Sequence, residues 1–264
     1  MKYLNLFLII LGLTACSYNK TDRPGFFNPL HDIQWTDEVI LSSDYYVAPL
    51  DNLYINSNTV IIFDSSSPLT ILIDGSLQVF GSATAPVIFS NTQPIMNSII
   101  LEETSQSNRI KFCDFGRNKL LINTDTTITQ CKIKYIKTTG MGISYYKHNN
   151  IGFLQIENQC QVNAEANLFD RALFNLPEPD PHLDKIIEFN GTGNCYFIGN
   201  DFIGRSDKIV PATNYIIFDY SSGDLIFENN FWHTTNIENL FFTNTSGTSS
   251  LNPNVSAPDS GCSW

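Results

Sequence analysis

Charge is scarce in this chain. Asp, Glu, Lys and Arg make up only 16% of the 264 residues, and the net charge is −11. A protein that binds DNA or RNA through its phosphates needs a basic footprint, so nucleic acid is excluded as a partner class. Low charge beside 42% hydrophobic residues also excludes a disordered chain and a long charged helical bundle. Cysteine is sparse, at six residues; there is no C-x-x-C and no Cys/His spacing of a zinc site. His31, His148, His182 and His233 show no metal spacing either, so no metal and no cofactor is expected. G-x-S-x-G, the P-loop and H-E-x-x-H are all missing. What remains plentiful is Phe, Ile, Asn, Ser and Thr, which favours strands and polar turns.

The only long apolar run opens the chain, `MKYLNLFLIILGLTACS`. It is too short to span a bilayer and suits the core of a signal peptide. Leu13-Thr14-Ala15-Cys16 resembles the bacterial lipobox, which implies a signal peptide over 1–15 and lipidation of Cys16. The alternative is an ordinary signal peptide with an incidental cysteine. Removing residues 1–15 takes Lys2 and no acid, leaving a mature charge of −12. Ser17 after the cysteine implies the outer membrane of a Gram-negative envelope, and multiple acyl chains hold far better than one. Residues 16–25 read as the lipidated cysteine and its polar tether.

A short pattern recurs: apolar, any, any, Asn or Cys, any, apolar. It appears as `IKFCDF` (110–115), `ITQCKI` (128–133), `AEANLF` (164–169), `FIGNDF` (197–202) and `IFENNF` (226–231), with steps of 18, 36, 33 and 29. `YKHNNI` (146–151) also fits, less well, and splits the 36 into two 18s. A longer frame of seventeen residues, `IIEFNGTGNCYFIGNDF` against `YIIFDYSSGDLIFENNF`, repeats with it. Such periods signal a solenoid or a propeller. Alternation by two puts apolar side chains on one face of a strand, and a three-residue skip demands a bend. Asn suits the bend because it tolerates left-handed backbone. Coils of strand, corner, strand bury their inner face only by stacking. Matching residues then form ladders: Asn167, Asn200 and Asn229, preceded by Cys113 and Cys131 as buried, stacked thiols, a disulfide being the lesser alternative. Asp114 and Lys132 should stack as an exposed ion pair, worth about 0–1 kcal/mol.

`LTILIDGSLQVFGSATAPVIFSN` (69–91), with `NLYINSNTVIIFD` before it and `ENNFW` after, resembles bacterial right-handed parallel β-helix proteins of the pectin-lyase-like kind. The resemblance covers roughly residues 45 to 232. It implies an all-β, right-handed parallel β-helix over 26–245, with an irregular polar tail at 246–264. Residues 26 to about 50 are expected to cap the open end with Trp35, Tyr45 and Tyr46. Phe241, Phe242 and Trp264 are expected to close the other end.

The fold hosts enzymes and non-catalytic proteins alike, so activity must be argued from residues. The family's hydrolases carry Asn-Thr-Asp, Asp-Asp, His-Gly and Arg-Ile-Lys in that order. This chain has Asn123-Thr124-Asp125 and Arg109-Ile110-Lys111 in reverse, with no Asp-Asp and no His-Gly. The family's lyases use Arg or Lys as base, often with Ca²⁺. Under that alternative, a divergent lyase or hydrolase of acidic polysaccharide, Lys132 and Lys134 are the candidate bases and Ca²⁺ the possible cofactor. The competing expectation is a membrane-anchored, non-catalytic surface protein that binds a glycan or a protein. Segments after the cornered strands vary in length and should share one face. Their candidate contacts are Tyr145, Tyr146, Arg171, His182, Arg205, Trp232 and His233. Packing of the loop bases is the equal alternative for the aromatic ones.

Overall fold

The computed structural model describes residues 31–170, 185–203, 217–220, 222–232, 241–243 and 249–253. Within them every regular element is a β-strand, and every pairing between strands is parallel. The molecule is a parallel β-helix, as the repeat requires. The first coil holds β1 (Asp32–Trp35), β2 (Glu38–Leu41) and β3 (Tyr45–Val47). The second holds β4 (Asn52–Asn56), β5 (Val60–Phe63) and β6 (Thr70–Ile73), and the third β7 (Ser76–Phe80), β8 (Val87–Asn91) and β9 (Ser98–Leu101). The fourth is β10 (Asn108–Lys111), β11 (Cys113–Asp114) and β12 (Lys119–Ile122). Two strands suffice in the fifth, β13 (Thr126–Thr129) and β14 (Lys132–Thr138), and in the sixth, β15 (Ile143–Lys147) and β16 (Asn150–Asn158). Then come β17 (Gln161–Glu165), β18 (Leu168–Asp170) and β19 (Ile187–Gly191), followed by β20 (Cys195–Ile198), β21 (Asp201–Ile203) and β22 (Ile217–Asp219). The last described strands are β23 (Leu225–Trp232), β24 (Phe241–Thr243) and β25 (Ser249–Pro253).

Each coil contributes to three faces. Face one stacks β1, β4, β7, β10, β13, β15, β17, β20, β23 and β25 in that order. Faces two and three follow the corner; β14 and β16 each bend and serve both. Residues 32–47, expected as a cap, are instead a first coil in register with the second: Trp35 pairs with Ile55 and Leu41 with Phe63. Their alternation of apolar and polar residues already matches the strands above. Ser249–Pro253, expected in an irregular tail, is likewise a strand, β25, paired with β23. Phe241 and Phe242 lie on β24 and pair with Ile217 and Phe218. Trp264 is outside the described residues.

The core is the filled interior of this prism. One inward column runs Ile55, Val79, Ile110, Ile128, Tyr146, Ala164, Phe197 and Phe227, one residue per coil. Another stacks Phe169 on Phe202 at 4.7 Å and Phe202 on Trp232 at 4.3 Å, with the rings within 7° of parallel. Buried aromatic contacts of this kind add to the area term, by about 0.5–1.5 kcal/mol per pair.

The corner between faces one and two carries the polar ladder. Backbone at the third motif position is left-handed in each coil from the fourth to the ninth: Phe112, Gln130, His148, Ala166, Gly199 and Asn229 have φ between 49° and 63°. The fourth position is buried, and at Asn149, Asn167 and Asn200 its side chain bonds the next coil. Asn149 donates its main-chain N–H and its Nδ2 to Oδ1 of Asn167, at 2.9 and 3.0 Å. Asn167 repeats this with Asn200, and Asn200 with Asn230. The final ladder member is therefore Asn230 and not the expected Asn229. The step is 30 residues rather than 29, because the true last motif is Phe227 to Trp232. The gap of 36 is two coils of 18, with Asn149 as the intermediate rung.

Cys131 joins the ladder as the expected thiol, its N–H bonded to Asn149 Oδ1 at 2.9 Å. Cys113, Cys131, Cys160 and Cys195 are buried free thiols. Burial, with Cys131 close by, pushes the Cys113 pKa well up, and burial raises Cys160 to about 11. Asp114 and Lys132 are register partners in adjacent coils, as the frame requires. The Asp114 carboxylate accepts the Gly116 N–H at 2.8 Å.

Candidate binding face

Side chains that alternate with the core columns point out of face one. Because ten strands stack there in register, its outward residues form straight rows along the solenoid. The central row pairs Tyr54 with Gln78, Gln78 with Arg109, and Arg109 with Thr127. It continues from Thr127 to Tyr145, Tyr145 to Asn163, and Asn163 to Tyr196. From the second to the eighth coil, even-numbered coils thus carry a flat ring or guanidinium and odd-numbered coils an amide or hydroxyl; the pattern ends there, since the row continues with Ile226 and Ser250. The flanking row holds Phe80, Lys111, Thr129, Lys147, Glu165 and Ile198.

Several exposed apolar groups lie along this face. Phe80, Ile143, Tyr145 and Ile198 are each more than a third exposed, Tyr145 at 49%. The Tyr54 and Phe80 rings lie 6.5 Å apart and nearly parallel. They are spread over the third, sixth and eighth coils rather than joined in one patch, and single exposed apolar residues need no explanation. Lys147 and Glu165 pair there across adjacent coils at 2.7 Å.

The predicted contacts separate. Tyr145 lies on this face. Tyr146 does not, because the next residue along β15 must point inward; it is 1% exposed and its hydroxyl meets Thr138 Oγ1 at 2.5 Å. Small Ala164 in the adjoining coil leaves room for the ring. Trp232 is also a core residue, 6% exposed and stacked on Phe202. The sequence pattern places both in loops; they are strand residues on inward positions. The stretch 134–150, expected as a loop, is the rest of β14, a turn and β15. Cys16, Arg171, His182, Arg205 and His233 lie outside the described residues.

Lys132 and Lys134 are half-buried on β14, on the outer side as alternation requires. Lys132 sits in register between Asp114 and Asn150. Asp125, of the Asn-Thr-Asp sequence, accepts the Ile143 N–H at 2.6 Å and so fastens two coils. Among the described residues no three of His, Cys, Asp and Glu are grouped to hold a metal.

On the edge between faces two and three, an open groove of about 380 Å³ is lined by residues 89–94 with Gly116 and Arg117. Beneath this edge runs a second, short asparagine ladder. Leu69 N–H donates to Asn97 Oδ1, and Asn97 Nδ2 to Asn118 Oδ1. Sequence reading missed it, since Asn97 and Asn118 share no flanking motif.

No family model, no curated protein and no solved structure matches this chain.

Proposed function

We propose that the protein is a lipid-anchored, non-catalytic module of the bacterial cell envelope that binds glycan on the outer side of face one. The single observation that carries the binding assignment is the straight outward row from Tyr54 to Tyr196, with rings and polar groups alternating coil by coil. Tyr offers a stiff apolar body with a polar tip, which suits a ligand that has both apolar ring faces and hydroxyls. The sheet beneath is fixed by the polar ladder, so the face is already ordered before a ligand arrives and little ordering entropy opposes binding. Anchoring through Cys16 and the short tether supports a role at a membrane surface rather than in free solution.

Two measurements test this reading. Cells expressing the full chain are labelled with radioactive palmitate; incorporation that Cys16→Ala abolishes supports the anchor, and label that survives the substitution removes it. Full-length protein in detergent micelles is then screened on a glycan array and incubated with a panel of polyuronates. Retention on glycan without release of unsaturated or reducing ends supports a binding module. Release of such ends that is lost in Lys132→Ala or Lys134→Ala would replace it with a lyase.

A further inference from the structure

The periodicity of face one restricts what kind of glycan fits it. This inference rests on the binding assignment just given and narrows its ligand. Coils are stacked about 4.8 Å apart, so between the second and eighth coils the row repeats its chemistry every two coils, roughly 9.6 Å. Tyr54, Arg109, Tyr145 and Tyr196 occupy alternate coils of one register. Gln78, Thr127 and Asn163 fill the coils between them. A ligand that meets every ring in the same way must run along the solenoid axis and must present an equivalent face once per two coils. The span from Tyr54 to Tyr196 is six coil steps, about 29 Å.

Electrostatics narrows it further. Along the central and flanking rows from the second to the eighth coil, the charged residues are Arg109, Lys111, Lys147 and Glu165. Lys147 is neutralised by Glu165. Lys111 Nζ sits 5.2 Å from the centre of its neighbour's ring, Phe112. The rest of the molecule is strongly acidic, at −11 overall. A polyanion along the face meets two remaining cations on a repulsive background, whereas an uncharged chain meets neither penalty.

We infer that face one takes an uncharged, extended, β-linked glycan lying parallel to the solenoid axis, with alternate sugar rings on Tyr54, Arg109, Tyr145 and Tyr196. Sugar C–H faces pack on the tyrosine rings and on the guanidinium plane. Hydroxyls between them reach Gln78, Thr127 and Asn163. Flat chains with alternating ring orientation present the same side every second sugar, which is the repeat the face offers.

The test is a length series of neutral β-linked glucan oligosaccharides, titrated calorimetrically into the full-length protein in detergent micelles, beside a matched series of oligouronates. Affinity for the neutral series is expected to climb in steps of two sugars and to change less than twofold between low and high salt. Tyr145→Ala is expected to weaken binding at least tenfold, Tyr145→Phe to keep most of it, and neither to move the unfolding midpoint by more than a degree or two. Lys111→Ala, beside the row, should leave neutral binding within twofold. Salt-sensitive binding of the oligouronates with none of the neutral series overturns the uncharged-ligand inference and leaves glycan binding standing. Neutral binding with a smooth length dependence, unmoved by Tyr145→Ala, overturns the placement on face one. Binding of neither series overturns both readings.

Discussion

The main-chain N–H of Asn200 bonds the side-chain oxygen of Asn230 at 2.8 Å, and Asn200 Nδ2 reaches the same oxygen at 2.9 Å. Asn229, one residue earlier, is exposed and left-handed, with φ of 53°. Two adjacent asparagines therefore have unrelated roles. Asn230→Ala leaves two buried donors on Asn200 and the Phe197 carbonyl without their partner, since Asn230 Nδ2 donates there at 2.8 Å. A loss of roughly 2–4 kcal/mol is expected by urea denaturation. Asn229→Gly should be neutral or slightly stabilising, because glycine adopts that backbone freely.

The same pair shows how far the sequence could be read. The inward alternation, the corner and the ladder were legible because a buried prism forces one residue type at each position, coil after coil. The last rung was not, since `ENNF` satisfies the motif in two registers and only stacking on Phe197 and Phe202 decides between them. Tyr146 and Trp232 look like surface residues by type, but one step of strand alternation turns each inward. The outward row was equally invisible: successive members Tyr54, Arg109, Tyr145 and Tyr196 are 55, 36 and 51 residues apart, and only insertions of unequal length bring them into line.

Tyr145 and Tyr146 form a matched control. Tyr146→Phe removes the hydroxyl that meets Thr138 inside the core and should cost about 1 kcal/mol. Tyr146→Ala empties a filled core position and should cost about 3–5 kcal/mol. Tyr145→Ala, on the outer side, should stay within about 0.5 kcal/mol. Thermal melts of the three variants separate inward from outward positions without any ligand.

Buried thiols give the fold an alkaline limit. Cys160 is raised to about 11 by burial, and burial moves Cys113 and Cys195 well up in the same direction. Below about pH 8.5 these thiols are protonated in both states and their contribution is complete. Above it the unfolded chain loses protons first, so it binds fewer than the native state and stability falls as pH rises toward the folded-state values. The slope approaches about 1.4 kcal/mol per pH unit for each such thiol. Urea midpoints measured from pH 7 to 11 should fall, and the fall should shrink when Cys160 and Cys195 are replaced by Ala. Site-resolved alkylation at pH 8 should leave all four described thiols unmodified until denaturant is added.

Left-handed corners offer a way to raise stability. Ala166 has φ of 52° and carries a β-carbon that this conformation disfavours by about 1–2 kcal/mol. Ala166→Gly removes the clash but lets the unfolded chain gain entropy, so a net gain of about 0.5–1 kcal/mol is expected. For a chain of this size that raises the melting midpoint by about 1–4 °C. The reverse change, Gly199→Ala, should cost about 1 kcal/mol through its φ of 63°, because an added β-carbon there meets nothing within 4 Å. Gly193→Ala works by the other route: its β-carbon would fall 2.0 Å from the Cys160 carbonyl oxygen of the coil below. That overlap forces two coils apart, so Gly193→Ala should be the most destabilising of the three. If Gly199→Ala proved as harmful as Gly193→Ala, the spacing of the coils at Cys160 would not be as tight as this packing requires.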